Sequence, residues 1–421
     1  MKLLPALLLL LLSSSIHART LEVSPGGEYD ALGAAARYAQ PGDTILFRAG
    51  VYPGGDYVAN LSGRADAWIT VMAAEGEQVI LRGGSNAWQL TDASYLRIIG
   101  FTIEGQTGNG FNIDDGGSIE TPAHHIVIER CTFGRLEATG NNDQLKMSGI
   151  DSFMVTRCTF RDGSPGGSMI DMVGCHQGVF SDNLFERGGS NCIQAKGGTA
   201  FIRIERNRFL DGGARALNIG GSTGLQFFRP LGANYEASNI AVYANLFTGA
   251  DAPIAFVGAV NSEVVNNTIW LPKRWAIRIL QETTAEGFLP CGNNAFRNNI
   301  VVVDDAADNP TLNIGSNTAP ETFLFSNNLW YHVGNAGWSG PNLPVAETAA
   351  IIGRDPLLVA PPSELSLRAG SPAIGAGADV ADPANDFAGR AFLSPRSIGA
   401  FEGGTTSAVP MRWLPTVLDL W

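Results

Sequence analysis

The sequence predicts an all-β chain wound as a right-handed parallel β-helix, on three observations. A six-residue strand pattern recurs nine times, a second short strand follows it in six of the intervals, and the composition is turn-rich and sparsely charged. Charged residues make up 16% of the chain and glycine occurs 51 times. A length of 421 residues exceeds what one globular core normally fills, so the choice lies between two domains and an elongated repeat array.

The strings are IIGFTI (98–103), IERCTF (128–133), VTRCTF (155–160), FSDNLF (180–185), IERNRF (204–209), VYANLF (242–247), VVNNTI (264–269), FRNNIV (296–301) and FSNNLW (325–330). From the second string on, the fourth place is Cys131, Cys158, Asn183, Asn207, Asn245, Asn267, Asn299 and Asn328. An asparagine recurring at a bend fits stacked coils whose amides form a ladder. A fixed strand pattern at irregular intervals fits a solenoid with loops inserted on one side. Between the strings lie QLKMS, MIDMV, CIQAK, ALNIG, PIAFV and AIRIL, whose period-two alternation marks strands with one buried face. No helical period intervenes. Cys131 and Cys158, in the ladder position, read as small buried hydrophobes. The chain has five cysteines and no CxxC pair, and Cys175, Cys192 and Cys291 are left without a role.

The ends divide the chain further. Residues 1–18, MKLLPALLLLLLSSSIHA, read as a signal peptide, with the β-helix and its N-terminal cap over 19–350 and a C-terminal cap and tail over 351–421. The coils are expected from about residue 40 to about residue 335. Residues 28–40 form an Ala-rich helix covering the open edge of the first coil. The protein is expected to be secreted or periplasmic, monomeric, and without a membrane span in its mature form. The formal charge of −12 becomes −13 when Lys2 leaves with the signal peptide. That balance disfavours nucleic acid. An acidic polysaccharide or oligosaccharide would need local cations to dock.

The ladder, the stretch PGDTILFRAGVY and the SPAIGAG…IGAFE ending resemble the pectin-lyase-like β-helix superfamily of exported proteins, over nearly the whole mature chain. That resemblance implies the fold. The superfamily holds lyases, hydrolases, epimerases and non-enzymatic adhesins, so it does not imply one activity.

Aligning the second strands by their inward residues gives an outward row of Lys146, Asp171, Gln194, Asn218, Ala255 and Arg278. A second row holds Ser148, Val173, Lys196, Gly220, Val257 and Leu280. Neighbouring coils stand about 4.8 Å apart, so the polar members form one patch, with Lys146 beside Asp171 and Lys196 about 8 Å from it. Lys146–Asp171 alone also fits an ordinary surface ion pair of under about 1 kcal/mol. Polarity is concentrated in four successive coils, with Arg215 and His176 beside them. The long insertion 220–239 carries Phe227, Phe228, Arg229 and Tyr235, and NTIWLPKRWAIRI (267–279) adds Trp270, Lys273, Arg274 and Trp275. His124 and His125 read as turn packing. Asp114 and Asp115 offer a site for a calcium ion, although acidic pairs in turns are usually only solvated.

Three functions compete. A polysaccharide lyase removes the proton α to a uronate carboxylate, which needs a base and positive charge on the carboxylate. Lys196 and Lys146 are the base candidates, Arg215 and Arg229 the carboxylate partners, and Asp171, Gln194, Asn218 and His176 further substrate contacts. A lysine among other cations has a lowered pKa, which favours the base role. The pattern partly resembles alginate lyases and chondroitinase B, in which a lysine and then an arginine lie on consecutive coils. Here the first of those strands ends in DMVG, and the arginine position is Lys196. A hydrolase of the polygalacturonase type needs paired carboxylates, and only Asp171 is acidic in the rows. The third reading is a non-catalytic carbohydrate-binding or surface β-helix. A C5-epimerase would share the lyase's proton abstraction.

Overall fold

The computed structural model describes residues 18–307 and 311–403. The expected signal peptide, apart from Ala18, and the tail from residue 404 lie outside the described residues. The coils are parallel throughout, and their strands line up as three long sheets. One sheet runs from Thr20–Val23 to Leu324–Ser326, a second from Gly50–Pro53 to Ile351–Ile352, and a third from Asp56–Ala59 to Leu312–Ile314. The parallel β-helix expected from the repeat is therefore the observed architecture. It begins earlier than residue 40, because Thr20–Val23 pairs with Thr44–Phe47 ahead of the helix. The helix itself is short, Leu32–Ala36, with Leu32 and Ala35 buried against the first coils. No helix among the described residues is long and apolar enough to cross a membrane.

Each six-residue string straddles the bend between the first and second sheets. Its third residue takes a left-handed conformation in every coil from Arg130 (φ 53°) to Asn327 (φ 52°). The fourth residue then turns into the core. The backbone N–H of Asn183 and its side-chain amide both donate to Oδ1 of Asn207, at 3.0 and 2.9 Å. The same double contact links Asn207 to Asn245, Asn245 to Asn267, Asn267 to Asn299 and Asn299 to Asn328. Cys158 begins the ladder by donating its N–H to Asn183. Glu347 ends it, accepting from both nitrogens of Asn328. A buried amide is costly unless paired, and here each rung pairs the next. Two places on, Phe133, Phe160, Phe185, Phe209 and Phe247 stack face to face with centroids 4.7–5.0 Å apart. All five cysteines are buried and reduced.

Residues 355–403, part of the 351–421 stretch expected as a C-terminal cap and tail, lie against the flank of the coils. Arg203 meets Asp382, Arg208 reaches the carbonyls of Pro362 and Ser363, and Asn266 donates to the carbonyls of Ser397 and Gly399. Trp338, Leu343 and Val345 are the late residues that pack on the central core.

Candidate functional site

The third sheet carries the site. Its strands include Trp88–Thr91, Phe111–Asp114, Leu145–Ser148, Ser168–Val173, Asn191–Lys196, Arg215–Gly220, Ala252–Val257 and Ile277–Leu280. The residues expected to point inward, from Leu145 and Met147 to Ile277 and Ile279, are all buried. Lys146, Asp171, Gln194, Asn218, Ala255 and Arg278 pair in that order across the strands. The polar row also starts two coils earlier, at Gln89 and Asn112, and continues to Asn313. The alternation in WQLT and FNID carries the same signal as QLKMS.

What the row does differs from its reading as an open polar surface. Asp171 is fully buried beneath two lysines. Lys146 Nζ donates to its Oδ2 at 2.7 Å and also meets Asp143 at 3.3 Å, while Lys196 Nζ stands 3.1 Å from Oδ1, off the line of a hydrogen bond. Asp171 thus lies buried with both lysines over it, where the row had suggested an exposed substrate contact. Burial pulls the Lys146 pKa down, but the charges of Asp171 and Asp143 outweigh that and raise it, which favours the ammonium form. Asp143 was missed, although the spacing Asp143-x-x-Lys146 announces it. Burial and the neighbouring Asp171 push the Asp143 carboxyl up. Lys146 and Lys196 meet the two oxygens of one carboxylate, so each has the other's charge close by as well as that of Asp171.

Arg215 and Lys196 stand at opposite ends of neighbouring strands, since Arg215 pairs with Asn191. Their side chains bend back toward the middle row. Lys196 reaches Asp171, and Arg215 donates to Asn218 Oδ1 at 3.1 Å and to Glu282 at 3.0 Å. Asp171 and Asn218 are two strand spacings apart, about 10 Å, with Gln194 between them. Asn218, buried, holds the arginine. Lys196, Gln194 and Arg215 are therefore the expected residues that the sheet brings to one partly buried face.

His176 and Arg229 belong elsewhere. Arg229 makes a two-pronged ion pair with Asp151, at 2.6 and 2.7 Å, and donates to the carbonyls of Gly174 and Ile119. His176 lies 3.0 Å from the same carboxylate and 3.1 Å from the Gly198 carbonyl. Burial raises the Asp151 pKa, but the bonds from Arg229 and His176 prevail and hold it at about 2. This clamp ties the 220–239 insertion to the coils and occupies both expected substrate contacts with Asp151. Glu236, unforeseen, ties the insertion to the lysine strand. Buried, it accepts from the N–H of Gly197 at 2.8 Å and from Thr223 and Thr283. Gly197 sits at φ 65°, and a Cβ there would come within 2.8 Å of Val173, which is why glycine follows the lysine.

The expected aromatic loop splits: Phe227 is exposed, whereas Phe228 is buried against Phe288. Trp270 packs partly buried on the flank, and Trp275 sits beneath Arg274 and Arg278. His124 and His125 join a half-buried cluster with Tyr95 and Trp68. Asp114 and Asp115 do not converge. Asp114 accepts from Gln89 and the Gly116 N–H, while Asp115 is buried and accepts from Gly117. No group of three His, Cys, Asp or Glu among the described residues could hold a metal.

A family model described as "right handed beta helix region" matches residues 86–231. Pectate lyase Pel9A superposes with a TM-score of 0.56 at 15% identity, covering 93% of this chain and 98% of its own. The fold is the right-handed parallel β-helix of pectate lyase. An alginate lyase from Paenibacillus sp. str. FPU-7 gives 0.48 at 17% identity over 79% of this chain and 99% of its own. A rhamnogalacturonan lyase gives 0.47 at 13% over 80% and 87%. No curated protein matches the sequence.

Proposed function

We propose that this β-helix is an exported polysaccharide lyase that cleaves a uronic-acid-containing glycan by β-elimination. The observation that carries the reading is the unequal hold on the two lysines over Asp171. Lys146 is bonded to two carboxylates and keeps its proton, whereas Lys196 meets one carboxylate, off the hydrogen-bond line. Of the two, Lys196 is the one left to take a proton. A uronate lying over Gln194 has Lys196 on one side and Arg215 on the other. In its neutral form Lys196 takes the proton α to the carboxylate. The carbanion's charge spreads into that carboxylate, which Arg215 stabilises, and the glycosidic C–O bond then breaks, leaving a double bond at the new end while the departing oxygen takes a proton from water. Glu236 and the Asp151–Arg229 clamp hold the insertion against the lysine strand, which supports a preorganised wall.

The test is a panel of uronate polymers followed by ultraviolet absorbance of unsaturated ends. Wild type should generate it. Lys196→Ala should abolish turnover while its melting curve stays that of wild type, and Arg215→Ala should slow turnover without abolishing it. New reducing ends without that absorbance would indicate hydrolysis. Binding without cleavage would establish the non-catalytic alternative.

A further inference from the structure

Beyond the lysines, the same row leads to a second concentration of positive charge. Arg278 follows Asn218 by two coils, with Ala255 between them. Ala255 is fully buried and brings no polar side chain, so along the row the pair Arg215 and Asn218 is followed by the pair Arg278 and Asn313. The guanidinium carbons of Arg278 and Arg274 lie 4.5 and 4.0 Å from the centre of the Trp275 ring. Stacking on an indole fixes a guanidinium in place and leaves its N–H edge directed outward. Among the described residues, Arg278 is anchored only through Nε, to Asn313 at 2.9 Å, and neither it nor Arg274 has a carboxylate in ion-pair contact. Glu282, bonded to Arg215, and the nearby Asp251 offset part of the charge. Burial, and after it the like charges of Arg215 and Arg274, push the Arg278 pKa down. Such crowding on a chain of net charge −12 is relieved by a bound anion.

We propose that Arg278, Arg274 and Trp275, with Arg215 at the near edge, form an anion subsite. It takes a carboxylate or sulfate on a sugar unit remote from the one that reacts. This rests on the acidic-glycan reading above. Gln194 and Arg278 are three strand spacings apart, about 14 Å, so the unit gripped here is not the one lying over Gln194. The subsite therefore recognises charge pattern and chain length, and leaves the bond-breaking step to the lysine end. Because its exposed N–H groups carry the contact, its hold weakens with salt.

The test compares wild type, Arg278→Gln and Arg278→Lys, each checked by its melting curve. The probes are defined-length uronate oligomers and dextran sulfate, which carries anionic sugars without uronate chemistry. Losing a charge-assisted contact should weaken binding about tenfold or more at low salt. Arg278→Gln should lose that affinity for dextran sulfate and for long uronate oligomers. It should equal wild type on oligomers too short to span from Gln194 to Arg278. Arg278→Lys should recover part of the loss. If wild type binds dextran sulfate through Arg278 but neither binds nor cleaves any uronate, the subsite stands and the uronate reading fails. Unchanged affinity of Arg278→Gln for long oligomers and dextran sulfate overturns the subsite and leaves the lyase proposal intact. Absence of binding by wild type to every probe overturns both.

Discussion

Replacing Asp171 by asparagine preserves shape and removes the one charge that lies beneath both lysines. Removing one partner of a buried ion pair costs about 3–5 kcal/mol, because the other charge is left uncompensated. Here the loss should fall at about 2–3 kcal/mol, for two reasons. Lys146 keeps Asp143 at 3.3 Å, and the lysine side chains remain 27% and 13% exposed, so water compensates part of the charge. The sign of the pH dependence follows from Lys146, whose folded pKa lies above its unfolded value. Its stabilisation is complete below the unfolded lysine value of about 10.4 and is lost as pH rises through the higher folded value. The gap between wild type and Asp171→Asn should therefore be constant from neutral pH to about 9 and narrow above about 10. Urea denaturation of both proteins across that range measures it. An Asp171→Asn protein as stable as wild type at pH 7 would show that the carboxylate does not hold the ammonium groups. A gap that persists undiminished at high pH would refute the charge argument and leave only shape.

The ladder and the insertion clamp each make a separate prediction. Asn245→Ala strands the Asn207 N–H and the Ile204 carbonyl, both bonded through Asn245 at 2.8 Å. At about 1–3 kcal/mol for each stranded buried group, the loss should be about 3 kcal/mol or more. A change under about 0.5 kcal/mol in urea denaturation would refute the ladder's energetic role. Asp151 has its pKa held at about 2, so its stabilisation is present above the unfolded value near 3.9 and is lost as pH falls through 2. That contribution is about 2 kcal/mol. Arg229→Met should lower neutral-pH stability and flatten the acid limb, whereas an unchanged acid limb would place the titrating group elsewhere.

The coil architecture was legible because it is written in short-range periods. Alternation of two places each strand's faces, and the asparagine at every bend marks where one coil stacks on the next. Those periods located the row from Lys146 to Arg278 residue by residue, and Lys196 beside it. They are silent on where a long side chain ends. Asp171 looked like one polar residue in an exposed row, yet Lys146 and Lys196 fold over it and bury it. Arg229 looked available for a sugar, yet its guanidinium meets Asp151, 78 residues earlier. Arg215 and Lys196 are 19 residues apart in sequence, start from opposite strand ends and bring their tips toward one middle row. Backbone direction follows from the repeat. The partner of a flexible charged side chain is decided by desolvation and geometry among neighbours that only the stacked coils and the pinned insertion bring within reach.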